Sequence, residues 1–80
     1  MKIGFLGAGN MAEAILKGLI FSKFISAKSI TAADLKPERL DYLKTKYKIQ
    51  TTPSNLSVLK KSKVIILAVK PQQIRDLLSE

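Results

Sequence analysis

Gly7-Ala8-Gly9-Asn10-Met11-Ala12 is the stretch of this chain whose residue types and spacing have the clearest chemical use. The small residues follow a G-x-G-x-x-A pattern, and each has its own task. Gly7 permits a sharp turn off a strand, and Gly9, lacking a Cβ, lets an anion approach the backbone closely. Ala12 lets the following helix lie tightly on a sheet. The free N–H groups of that helix's first turn, at the positive end of its dipole, then face the anion. The pattern predicts a seat for the diphosphate of a dinucleotide. A strand-to-helix turn with no ligand is the plainer use of such a sequence, but here the motif directly follows a strand-like run and directly opens an amphipathic segment, as ligand binding requires.

Asp34 is the second candidate. An acid about twenty positions past the fingerprint is where nucleotide folds hold the adenosine ribose by its hydroxyls. A solvated turn aspartate is the alternative. Asn55 either caps a helix, a role Ser54 could also fill, or faces the adenine side of the ligand. Lys70 is the one ionisable residue expected at the far end of the site, and its other reading is a solvent-facing charge before a helix-starting proline. The chain has no Cys and no His. Disulfides, thiolate chemistry, the usual zinc sites and His-based relays are therefore excluded, and no residue is assigned as catalytic or metal-binding.

These residues need an alternating scaffold to bring them together. Ile3, Phe5 and Leu6 suit a buried first strand, and Ala12, Ile15, Leu16 and Leu19 give one apolar stripe on the first helix. Glu13 and Lys17 are spaced as an i, i+4 pair. Gly18 is costly in a helix, and either close approach to a strand or a loose helix end would account for it. Phe21 to Lys28 reads as a connection, Ser29 to Ala33 as the second strand, and Pro37 as the start of a helix bearing Leu40, Leu43 and Tyr47. Lys48 to Thr52 predicts a brief third strand, and a short third helix carries Leu56 and Leu59. Val64 to Val69 is continuous and β-branched, as in a strand covered on both faces. Pro71 opens a last helix with Ile74, Leu77 and Leu78.

Right-handed crossovers wind these elements into an α/β fold, a Rossmann-type parallel sheet of four strands in order 3-2-1-4 with helices on both faces. The crevice between strands 1 and 4 is then the switch point. It opens beside the fingerprint and beside Val69-Lys70-Pro71.

Eighty residues form one domain, with 46% hydrophobic and 25% charged residues, ordinary values for a soluble globular protein. Asn10, Glu13 and Lys17 interrupt the apolar N-terminus, which therefore does not read as an export signal; a cytoplasmic location is expected, and no apolar run is long enough to span a bilayer. The net charge of +8 invites a nucleic-acid reading. The lysines are scattered, however, and only Lys60, Lys61 and Lys63 cluster, with no aromatic residues between them to stack bases. That cluster suits the solvated end of a helix. No nucleic-acid or membrane partner is expected, and a general positive field would favour a phosphate-bearing ligand.

Gly4-Phe-Leu-Gly-Ala-Gly-Asn-Met-Ala-Glu-Ala-Ile15 together with Ile66-Leu-Ala-Val-Lys-Pro-Gln72 resembles the pyrroline-5-carboxylate reductases, which reduce pyrroline-5-carboxylate to proline with NADPH or NADH. The resemblance covers essentially the whole chain. A related family of deazaflavin-using NADP reductases shares the first motif. By this resemblance, Leu6, Gly7, Ala8, Gly9, Asn10 and Met11 surround the pyrophosphate, Asn55 contacts the adenosine, and Ala68, Val69, Lys70 and Pro71 lie along the nicotinamide ribose.

Members of that family are much longer, with a helical dimerisation domain that completes the imine pocket. Residues 1–80 are therefore expected to be the cofactor-binding domain alone, inactive by itself, from a protein that forms homo-oligomers when complete. Asp34 departs from the small hydroxylated residue of many relatives. A carboxylate there repels the extra phosphate of NADPH, while Lys36 and Arg39 are near enough in sequence to offset it, so dual use with a tilt toward NADH is expected. Another NADP-dependent reductase, or a nucleotide-sensing module without activity, is the competing expectation.

Overall fold

The computed structural model describes residues 1–68. The expected helix after Pro71 and the site residues Val69, Lys70 and Pro71 lie outside them. The elements are β1 (Ile3–Leu6), α1 (Asn10–Phe21), a 3-10 turn (Ala27–Ser29), β2 (Ile30–Ala33), α2 (Pro37–Tyr47), β3 (Gln50–Thr52), α3 (Asn55–Lys61) and β4 (Val64–Leu67). All strand pairs are parallel, in the order β3-β2-β1-β4. Ile3 stands beside Ile30 and Val64, and Leu6 beside Ala33 and Leu67. The expected strand order, and the alternation as far as β4, are those observed.

The side-chain alternation of β1 explains why helices cover both faces. Ile3 and Phe5 enter a core shared with Ala12 and Leu16 of α1 and Leu40, Leu43 and Tyr47 of α2. Leu6 points the other way, into a smaller cluster with Ala33 and Val58 of α3. Gly4 lies on that second face, where a Cβ would collide with the Val58 side chain and the Ser62 hydroxyl. The missing side chain is what lets α3 settle onto the first strand. Pro37 at the first helical position starts α2, and the Ser54 hydroxyl caps α3 by accepting the Ser57 N–H at 3.2 Å.

Several local expectations are corrected. Ile15 is at the margin of the α1 stripe and exposed, while Ala12 and Leu16 are buried. On α3 the expected Leu56 and Leu59 face solvent, and Val58 between them is the buried residue. The helix is short, so one buried position suffices to dock it. Val64 and Leu67 are exposed because β4 is the edge strand of the described sheet, with only Ile65 and Ile66 packed against the two cores. The third strand starts at Gln50 because Lys48 caps α2 in the left-handed conformation, at φ 62°. A Cβ at Gly18 would meet nothing within 4 Å, so no strand approaches it.

Candidate functional site

The turn between β1 and α1 is pinned at successive groups. Gly7 takes the positive φ of 110° that the change of direction needs, and its N–H donates to the Ala33 carbonyl at 2.8 Å. Ala8 is fully buried. Its N–H donates to Asp34 Oδ2 at 2.8 Å, and its carbonyl accepts from Arg39 Nε at 2.8 Å. Asp34 Oδ1 accepts the Lys36 N–H at 3.0 Å. Asp34 is thus neither a free turn residue nor a carboxylate waiting only for a ligand: it joins the fingerprint turn to the start of α2.

Gly9 is the N-cap residue of α1, and no side chain caps that end. A Cβ built on Gly9 meets nothing within 4 Å. The first-turn donors of α1 therefore open onto space that a side chain would partly fill. Asn10 and Met11 stand exposed at the same turn. The arrangement fits an anion whose charge is met by main-chain N–H groups and the helix dipole.

Among the described residues, the remaining expected ones gather at the same edge of the sheet, beyond the C-terminal ends of the strands. Ala68, directly after β4, is buried and donates its N–H to the Leu6 carbonyl at 2.9 Å, extending the pairing beside the turn. Asn55 is the first residue of α3, half-buried, and relieved of capping by Ser54. A shallow hollow of about 240 Å³ opens beside Asp34, between the end of β3 and the start of α2, with Leu35, Thr52 and Pro53 on its wall. Leu35 and Thr52 were not singled out from the sequence. The signal for Leu35 was an apolar residue set between Asp34 and Lys36 at a strand end, where 82% of it is exposed.

Glu13 is organised differently from the expected pair with Lys17. One of its oxygens accepts Arg39 Nη2 at 3.2 Å, and the other accepts the hydroxyls of Tyr42 and Tyr47, both at 2.7 Å, with Lys46 Nζ 3.7 Å away. Lys17 instead lies over the Phe21 ring. The two phenols above all, then Arg39 and Lys46, hold the Glu13 carboxyl down at about 2. The guanidinium of Arg39 also stacks on Tyr42, 4.9 Å from the ring centre. Arg39 is thus engaged by Ala8, Glu13 and Tyr42 and keeps its positive charge beside the turn.

Charge is not spread evenly. The acids of the described residues, Glu13, Asp34, Glu38 and Asp41, lie at or near the site edge, in the early turns of α1 and α2 or directly after β2. Lys2, Lys23, Lys28, Lys48 and Lys63 fall in segments at the opposite end of the strands. Lys36 stands exposed beside Asp34 at the site edge. Among the described residues, no three Asp, Glu, His or Cys side chains converge as a metal site, and no described helix is long and apolar enough to cross a membrane.

Comparison with known proteins places this geometry in context. Residues 2–80 match the family model for "NADP oxidoreductase coenzyme F420-dependent". The chain is 37% identical over 78 residues to a pyrroline-5-carboxylate reductase of Methanosarcina acetivorans, covering 98% of this chain and 29% of that protein. It is 39% identical over 79 residues to mouse pyrroline-5-carboxylate reductase 3, covering 99% of this chain and 28% of the relative. The solved structure of a pyrroline-5-carboxylate reductase from Coxiella burnetii superimposes with a TM-score of 0.85 at 36% identity, over 99% of this chain and 32% of that one. The chain thus spans about a third or less of the length of these relatives.

Proposed function

We propose that this chain, which belongs to the family of coenzyme F420-dependent NADP oxidoreductases, is the NADH- or NADPH-binding domain of a pyrroline-5-carboxylate reductase. That enzyme forms proline, in the last step of its biosynthesis, by hydride transfer to 1-pyrroline-5-carboxylate. The observation that carries the reading is the open space over Gly9 at an α1 end that no side chain caps.

In this reading the diphosphate lies against Leu6 to Met11. The Ala8 N–H is already given to Asp34, so Ala8 serves by shaping the turn, and the donors are the amides that follow it. Asp34 keeps lone pairs for the adenosine ribose hydroxyls after accepting the Ala8 and Lys36 amides. Leu35 offers apolar surface to the adenine, with Asn55 on the adenosine side. Ala68, together with Val69, Lys70 and Pro71, follows the nicotinamide ribose by backbone groups. The bound nicotinamide supplies the hydride. The chain's own residues bind it, orient it and exclude water.

The imine pocket and any proton donor belong to the second domain that the longer relatives' lengths leave room for, so the 80-residue chain alone has no reductase turnover. In the complete protein we assign a cytoplasmic homo-oligomer acting on a small molecule, with no nucleic-acid partner. A nucleotide-sensing module is the competing reading, and joining the chain to a helical second domain separates the two: restored activity on pyrroline-5-carboxylate identifies the reductase.

Titration with NADH, followed by nicotinamide fluorescence, tests the core of the proposal in the parent and in Gly9→Val. Gly9 has φ −82° and ψ −162°, extended geometry that Val accepts. The variant should fold like the parent and lose binding. Equal affinity in both would sink the diphosphate assignment, and a parent that binds neither NADH nor NADPH would sink the whole reading.

A further inference from the structure

We infer that Arg39 is a positioning residue for dinucleotide binding, holding the Ala8 peptide in the orientation that keeps the fingerprint turn ready for a diphosphate. The inference rests on the cofactor-binding reading above.

The need for such a residue follows from the sequence of the turn. Ala8 sits between two glycines, the residues with the widest backbone freedom, so its peptide planes are the least restrained part of the site. A turn that is loose before binding loses affinity through the cost of ordering it. A carbonyl left free there could also swing toward an arriving anion, where its dipole would repel it.

Both hazards are met by side chains from elsewhere in the chain. The Ala8 N–H is held by Asp34 and its carbonyl by Arg39, each at 2.8 Å. Arg39 reaches the turn from α2, across 31 positions of chain. Its own orientation is set by Glu13 on one edge of the guanidinium and by the face of Tyr42. Glu13 in turn is fixed by the hydroxyls of Tyr42 and Tyr47. The planar guanidinium suits this work because Nε and Nη2 donate in fixed directions to two different acceptors, which a lysine ammonium cannot reproduce.

NADH binding in Arg39→Met, Arg39→Lys and Ile30→Val tests the inference, with thermal midpoints recorded for each. Ile30→Val loosens the same core from the end of β2 away from the turn, without touching Ala8 or the groups that hold Arg39. It should lower the midpoint yet keep the Kd within about twofold of the parent, whereas Arg39→Met should raise the Kd about tenfold or more while still folded at the assay temperature. Arg39→Lys retains the charge but not the fork, so its Kd should lie nearer that of the Met variant. A Lys variant that binds like the parent would show that charge alone is needed. An Arg39→Met variant with parental affinity, or an Ile30→Val loss as large as that of Arg39→Met, would equally overturn the inference. If the parent fails to bind, the cofactor reading itself falls, and this inference falls with it. A parent that binds alongside unaffected Arg39 variants sinks this inference alone.

Discussion

The Asp34 carboxylate accepts the Ala8 N–H at 2.8 Å from 26 positions further along the chain, so the acid that ends β2 and the turn that ends β1 behave as one unit. Asp34 therefore has two roles that a substitution removes together: shaping the turn, and in the proposed complex holding the ribose diol. Asp34→Ser should raise the Kd for NADH about tenfold, equivalent to about 1.4 kcal/mol. NADPH, relieved of a carboxylate facing its added phosphate, should lose less or gain. Lys36, exposed beside Asp34, is a side-chain cation expected to meet that phosphate. Dissociation constants for both coenzymes, measured on parent and variant, check this. An unchanged NADPH-to-NADH ratio would remove the ribose role from Asp34.

Acid stability should report the Glu13 network. The Glu13 carboxyl is held at about 2, below its ordinary value of 4.5, chiefly by the Tyr42 and Tyr47 hydroxyls. A carboxyl whose folded value is depressed stabilises the fold fully above its unfolded value, and that contribution fades as the pH falls toward the folded one. Glu13→Gln should therefore destabilise the chain at pH 7, by about 1.5–3 kcal/mol for lost hydrogen bonds to a charged group. The gap between parent and variant should narrow between pH 4.5 and about 2. Urea midpoints of the two proteins across that range give the comparison. A gap independent of pH would mean that ionised Glu13 does not hold α1 to α2.

Much of this was legible in the sequence, for reasons that differ between elements. The parallel order could be read because β1 is short and apolar, its turn is marked by glycines, and each later strand is separated from the last by a helical pattern. The Pro37 start of α2 and its buried Leu40, Leu43 and Tyr47 followed from local rules. What escaped depended on partners far away in the chain. Glu13 was paired with Lys17 by spacing, but Arg39, Tyr42 and Tyr47 on another helix hold it more strongly. Asp34 was placed by its distance from the fingerprint, but nothing local showed that it would bind the Ala8 amide. The start of β3 is placed too early by the sequence because Lys48, not a glycine, takes the left-handed cap of α2. On α3, three apolar positions competed for one buried face, and the sheet rather than the helix decided for Val58.

Gly4 should be intolerant of any side chain, although it lies outside the proposed site. Its missing Cβ is the room in which Val58 and Ser62 approach β1, and Val58 is fully buried with no free direction in which to retreat. Gly4→Ala should cost about 1–3 kcal/mol by overpacking. Pairing it with Val58→Ala should recover part of that loss, because the second change opens the volume that the first one fills. Chemical denaturation of both single variants and the double one measures the coupling. Strictly additive losses would show that Gly4 and Val58 do not share this contact.

Gly18 should behave in the opposite way, and the contrast tests the packing of α1. It lies within that helix, where glycine gives up more backbone freedom on folding than alanine, yet an added Cβ would meet nothing within 4 Å. With no steric cost, Gly18→Ala should stabilise the chain by up to about 1 kcal/mol, raising the thermal midpoint by roughly 4–8 °C for a domain of this size. The residue is remote in sequence from the Gly7–Met11 turn, so NADH affinity should stay at the parental value. Calorimetry with the coenzyme titration separates the two effects. A lowered midpoint would mean that the second half of α1 meets a neighbour at Gly18 after all.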